Sequence, residues 1–131
     1  MVKSSRIGIK GEFKMVDPVR SVRKRDGRIE DFDKAKIFEG IIKAHELTRP
    51  GRGRAIAFDI ARNVYKVSIR PWVFKYKKEF IETKDIQRRV EYALMEHCPD
   101  IARTYIICAY IKEEKRRQKK KAEKEAEKNG D

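Results

Sequence analysis

The stretch VRKRDGRIEDFDKAKI, residues 22–37, decides the fold. Its Asp26-Gly27 pair is the signal of a two-residue β-hairpin turn, because both central positions need a positive φ, which Gly takes without penalty. The hairpin joins VRSVRKR (residues 19–25) to RIEDF (residues 28–32). In simple two-residue register Val22, Lys24 and Ile29 share one face, and Arg23, Arg25, Arg28 and Glu30 the other. A ligand touching both Lys24 and Glu30 therefore requires a bulge or a wrapped geometry. Asp33 then caps a first helix whose first turn holds Lys34 and Lys36. Cations at the positive end of a helix dipole cost about 0.3–1 kcal/mol each. An anion held between the hairpin and the helix would resolve that conflict.

The free N–H groups of the helix start, with Lys36 in that turn and Lys24 and Arg25 on the hairpin, form a candidate polyphosphate site. Glu30, Asp31 and Asp33 lie among these cations. Acids would weaken a plain nucleic-acid groove, so they favour a site that also recognises hydroxyl or amine groups. They equally suit a solvated basic hairpin whose lysines pair with its own carboxylates, an arrangement that is common and contributes little.

The chain has 131 residues, 42% of them charged, and a formal net charge of +13. That length predicts one domain with one modest core, and that charge predicts attraction to polyanions. Dense Lys, Arg and Glu also resembles thermophile surface composition, so part of the balance concerns stability. The apolar run YIICAYI (residues 105–111) is too short to span a bilayer, and the amino end lacks a signal-peptide pattern. A cytoplasmic protein without membrane partners is expected. Cys98 and Cys108 have no CxxC or His-rich context and read as free thiols.

Residues 1–18 mix Gly, Ser and Pro with scattered cations and read as a flexible basic arm, with a short strand near RIGIK. In the first helix Ile37, Phe38, Ile41, Ile42 and His45 fall at helical spacing. TRPGRGR (residues 48–54) ends it. A second helix is expected over residues 54–67, stopped by Pro71, and a third strand over residues 73–81, where aromatic and β-branched residues partly alternate. Thr83 is the expected N-cap of a third helix over residues 84–96, with Ile86, Val90, Ala93, Leu94 and His97 facing inward. A fourth helix over residues 101–117 is apolar on nearly every side in its middle, as the central helix of a bundle would be. Residues 118–131 read as a charged tail, either helical or disordered. The fold class is α+β: four helices capped by a small three-stranded sheet.

Other features point to bland roles. His45 and His97 lie on apolar faces without metal-ligand company and read as core histidines. No nucleophile motif, paired carboxylate site or Walker-type loop is present; RPGRGR lacks the GK[ST] ending. Trp72, Phe74 and Tyr76 among Lys75, Lys77 and Lys78 could stack on bases, but packing is the commoner use of such aromatics. A nucleotide-hydrolysing enzyme is disfavoured, for lack of a base and of a Mg2+ carboxylate pair.

Three segments together resemble the ATP-cone, the nucleotide-binding regulatory module at the amino end of many ribonucleotide reductases and in the bacterial repressor of their operons. They are VRKRDGRIEDFDKAKI, ETKDIQRRVEYALME (residues 82–96) and DIARTYIICAYIKEEKRR (residues 100–117), in that order and spacing. The resemblance covers residues 19–117. It implies a non-catalytic sensor that binds ATP or dATP beneath the hairpin, an effector that also brings Mg2+ into consideration. Carried over, Val22, Lys24 and Arg25 match hairpin contacts, Glu30 the acidic ligand contact, and Lys36 and Ile37 first-helix contacts. Thr83 and Gln87 match positions on the third helix, and Lys112 a basic position late in the fourth. No zinc ribbon precedes the cone and no reductase domain follows it, so a ribonucleotide reductase subunit or a second copy is the implied partner. The alternative is a nucleic-acid-binding protein or transcriptional regulator using the arms KSSRIGIKGEFK and KRRQKKK.

Overall fold

A computed structural model describes residues 17–129 of the 131; the expected basic arm, apart from its last two residues, lies outside them. The chain runs β1 (Ser21–Arg23), β2 (Ile29–Asp31), α1 (Lys34–Thr48), α2 (Arg54–Val64), a π-helical turn (Tyr65–Ile69), α3 (Arg70–Lys75), β3 (Phe80–Glu82), α4 (Thr83–His97) and α5 (Pro99–Asn129). The expected α+β class is borne out. Residues 54–75 are helical throughout and act as one of four long helical limbs, over which the small sheet sits.

The sheet order is β2-β1-β3, with β1 antiparallel to β2 and parallel to β3. Val22 pairs with Ile81, and both are buried. This tethers the hairpin to the strand that leads into α4. Beneath it, Ile41, Ala61, Tyr65, Ile69, Val73, Val90, Leu94 and Ile101 form the centre of one apolar cluster. The faces of α1, α4 and the helical stretch 54–75 supply most of it, because residues three and four apart share a face.

Five expectations about the elements and the core are corrected. Pro71 does not stop the second helix, and residues 73–81 are not a strand: Arg70–Lys75 is helical and β3 begins only at Phe80. The turn before Pro71 widens to i→i−5 bonding, the Arg70 N–H donating to the Tyr65 carbonyl. A π-bulge is an established way to carry a helix past a residue that cannot donate. At the far end Arg20 donates to the carbonyls of Val73, Tyr76 and Lys78 at 2.8, 3.1 and 2.7 Å, terminating α3 with a cation where the helix dipole is negative. Trp72 and Tyr76 pack edge to face at 5.1 Å against the core, while Phe74 is exposed.

Thr83 is not the N-cap. Glu82 holds that position because β3 runs straight into α4, and the Thr83 hydroxyl donates to the Arg23 carbonyl at 3.1 Å. Nor is α5 central in the bundle: Ile107 and Tyr110 are 51% and 63% exposed, because α1 and α4 cover only the Ile101, Ala102 and Tyr105 side. His45 is a core residue whose ring nitrogens find no hydrogen-bond partner among the described residues, but His97 ends α4 in solvent. Cys98 and Cys108 are half-buried free thiols, and burial pushes the Cys98 thiol up.

Candidate functional site

The hairpin turn differs from the expected one by a single residue, and that difference builds the site. Lys24 N–H donates to the Arg28 carbonyl at 2.8 Å and Gly27 N–H to the Lys24 carbonyl at 3.0 Å, closing a three-residue loop with Gly27 at φ 91°. This is the bulged hairpin in which a left-handed residue follows the turn, so any side chain at Gly27 would be strained. The register shifts accordingly: Val22 faces Glu30 and Arg23 faces Ile29. Val22, Lys24 and Glu30 now share one face, as a common ligand would require, and Ile29 leaves it.

That face looks onto α1, the start of α4 and the middle of α5. Between them lie two contiguous depressions of ≈ 170 and ≈ 190 Å³ that share Lys36, Thr83, Gln87 and Tyr105. Together they reach the ~300–1,000 Å³ range of small-molecule sites. The first, under the hairpin, has an apolar wall of Val22, Ile37, Ile86 and Tyr105, with Lys24, Glu30 and Lys36 at its rim. The second is ringed by cations: Arg25, Lys36, Lys43, Lys112 and Arg116. All nine residues singled out in the sequence line one depression or the other.

Sequence reasoning missed Tyr105, Ile86, Gly40, Lys43 and Arg116. Helical spacing from the chosen residues would have found most of them. Gly40 and Lys43 follow Lys36 by four and seven positions, Arg116 follows Lys112 by four, and Tyr105 precedes it by seven.

Asp33 caps α1 by accepting from the Ala35 N–H at 3.0 Å, and no acid follows in the first turn. The two lysines of that turn part company. Lys34 pairs with Asp17 at 3.0 Å and lies over the Tyr65 ring, whereas Lys36 turns to the pocket and pairs with Glu30 at 3.0 Å. Arg25 pairs with Glu113 of α5. The protein's own carboxylates thus supply the negative charge that the sequence left unassigned. The Lys36 ammonium bonded to Glu30 holds that carboxyl below its usual range. Burial, with Glu91 nearby, pushes the Tyr105 phenol up to about 12, so it stays protonated at neutral pH.

Hydrogen bonds to Arg28, Arg23 and Arg49 likewise lower the carboxyls of Asp26, Glu82 and Asp100. Groups with folded-state values below the ordinary 3.8 and 4.5 contribute stability above those values and lose it as pH falls through the lowered ones. Urea midpoints followed by circular dichroism are expected to hold between about pH 5 and 7 and to fall below about pH 4. A midpoint flat to about pH 3 would contradict these pairings.

The donor set suits a nucleoside triphosphate: cations for phosphates, an apolar wall with one aromatic ring for a base, and Glu30, Thr83 and Gln87 for polar edges. It does not suit a protein-held Mg2+. Among the described residues no group of three or more His, Cys, Asp or Glu side chains could hold a metal ion. Nor is any described helix long and apolar enough to cross a membrane.

Residues 20–114 match the family described as the ATP cone domain, and the chain belongs to that family. ATP-cone domains are nucleotide-binding regulatory modules, non-catalytic, with ATP and dATP as effectors. Comparison with curated proteins gave no match.

Proposed function

We propose that this chain is an allosteric sensor of ATP or dATP, cytoplasmic, acting on ribonucleotide reductase or on its expression. The carrying observation is the bulged hairpin face, which brings Val22, Lys24 and Glu30 over the same pocket as the α1 start and the cations of α5. Lys36 at the positive end of the α1 dipole, with Lys24, Arg25 and Lys112, binds the phosphates. Glu30 accepts from a ribose hydroxyl or the adenine amine, and Thr83 and Gln87 bound the ligand between the two depressions. Val22, Ile37 and Tyr105 exclude water from the base. The phosphates displace Glu30 and Glu113 from Lys36 and Arg25, which frees the hairpin from its tie to α5. That gives a two-state lid whose position a partner can read.

The test is calorimetric titration with ATP and dATP at two salt concentrations, with GTP and inorganic triphosphate as controls. Micromolar or tighter binding selective for adenine nucleotides is expected. Weak, base-indifferent, salt-sensitive binding would reduce the site to surface charge.

A further inference from the structure

The last part of α5 has no structural partner in its own domain. Residues 115–129 are exposed without exception, so nothing described packs on them. In the body of the domain several basic side chains pair with carboxylates, as in Arg23–Glu82, Lys34–Asp17 and Arg49–Asp100. On the extension the balance changes. Residues 115–121 hold six cations in seven positions, and among the described residues only Arg117 of these has an ion-pair partner, Glu114 at 2.9 Å.

Their arrangement around the helix is ordered. At about 100° per residue, Arg117, Lys120, Lys121, Lys124 and Lys128 fall within about one third of the circumference. Glu123, Glu125 and Glu127 fall outside that sector. The stripe from Arg117 to Lys128 is about 16 Å long at about 1.5 Å rise per residue. Ala122 and Ala126 are the only apolar residues beyond Ile111, so there is no apolar face with which to enter a membrane interface.

We propose that this free end of α5 is a binding surface for the phosphate backbone of B-form duplex DNA. The reading is independent of the nucleotide pocket. A bare helix about 10–12 Å across fits a major groove about 12 Å wide, and its basic sector then meets the phosphates of one groove wall. The deep, narrow major groove of duplex RNA does not admit it. The helix reads no sequence, because lysine contacts to phosphate position a protein without specifying bases.

Fluorescence anisotropy with a labelled mixed-sequence 20-base-pair DNA duplex (a length of about two helical turns), over a salt series, tests this in the full chain. One variant carries Arg117→Gln, Lys120→Gln, Lys121→Gln, Lys124→Gln and Lys128→Gln. A charge-matched control carries Arg52→Gln, Lys66→Gln, Lys75→Gln, Lys77→Gln and Lys78→Gln, all at exposed positions outside α5. Gln is a good helix former, and circular dichroism verifies that both variants keep their helix content. The stripe variant is expected to lose about 4 from the slope of log affinity against log salt and more than about tenfold in affinity, since each phosphate contact contributes about 0.9 to that slope. The control should lose less than a third as much. Equal losses in both variants, no wild-type binding at low salt, equal affinity for duplex RNA, or tighter binding to phosphatidylserine vesicles would each overturn the proposal.

Discussion

Lys36→Ala is expected to weaken ATP binding about 10–100-fold while leaving thermal unfolding unchanged. Among the cations around the site, Lys36 alone lines both depressions, and it stands in the first turn of α1, at the positive end of the helix dipole, which favours an anion. A hydrogen bond to a charged group contributes about 1.5–3 kcal/mol, and each 1.4 kcal/mol or so is tenfold in affinity. The side chain is 59% exposed and its single ion pair is to Glu30, so the fold has little to lose. Surface pairs of this kind contribute about 0–1 kcal/mol, and removing a cation from a helix start recovers part of that. Lys24→Ala, on the lid and at the rim of one depression, should weaken binding by less. Calorimetric affinities with unfolding midpoints on the same preparations separate the two effects. Unchanged affinity in both variants would sink the assignment of the site.

What was legible in the sequence was local. The Asp33 cap, the Asp-Gly turn and the periodic faces of α1 and α4 each depend on residues a few positions apart, and each is found where the pattern implies, His97 at the end of α4 excepted. The failures were decided at long range. WVFKYKK has the composition of a strand, yet Val73 is drawn into the core and Arg20 ends the helix from 53–58 positions away. Composition also marked α5 as central, because an apolar run cannot say that only one side of it will be covered. The hairpin lies between these cases. Its turn residues were read correctly, but whether Asp-Gly closes a two-residue or a three-residue loop is a one-residue question. That residue determines whether Glu30 faces the pocket with Lys24 or turns its back on it.

Gly40→Leu is expected to reduce ATP affinity by more than about 30-fold, or about 2 kcal/mol, by a route that removes no ligand contact. Gly40 lies one helical turn after Lys36 on α1, and a Cβ built there would stand 3.2 Å from Cε2 of Tyr105. Tyr105 is the ring that floors both depressions. The missing side chain at position 40 is therefore what lets the ring lie against α1. Alanine adds helix propensity of about 1 kcal/mol and asks the ring to give by a few tenths of an ångström. Its net effect on binding should stay within about threefold, a fraction of a kcal/mol. Leucine cannot be accommodated that way. Overpacking costs about 1–3 kcal/mol, and the open side toward which the ring can move is the pocket itself. The blocked-pocket account makes a further demand that simple destabilisation does not. Tyr105→Ala removes the obstructing ring, so in the Gly40→Leu background it should restore part of the lost affinity, although the same change weakens binding in the wild type. A double-mutant cycle read by calorimetry measures that sign reversal directly. Additive losses would mean that Gly40 and Tyr105 shape the bundle and not the site.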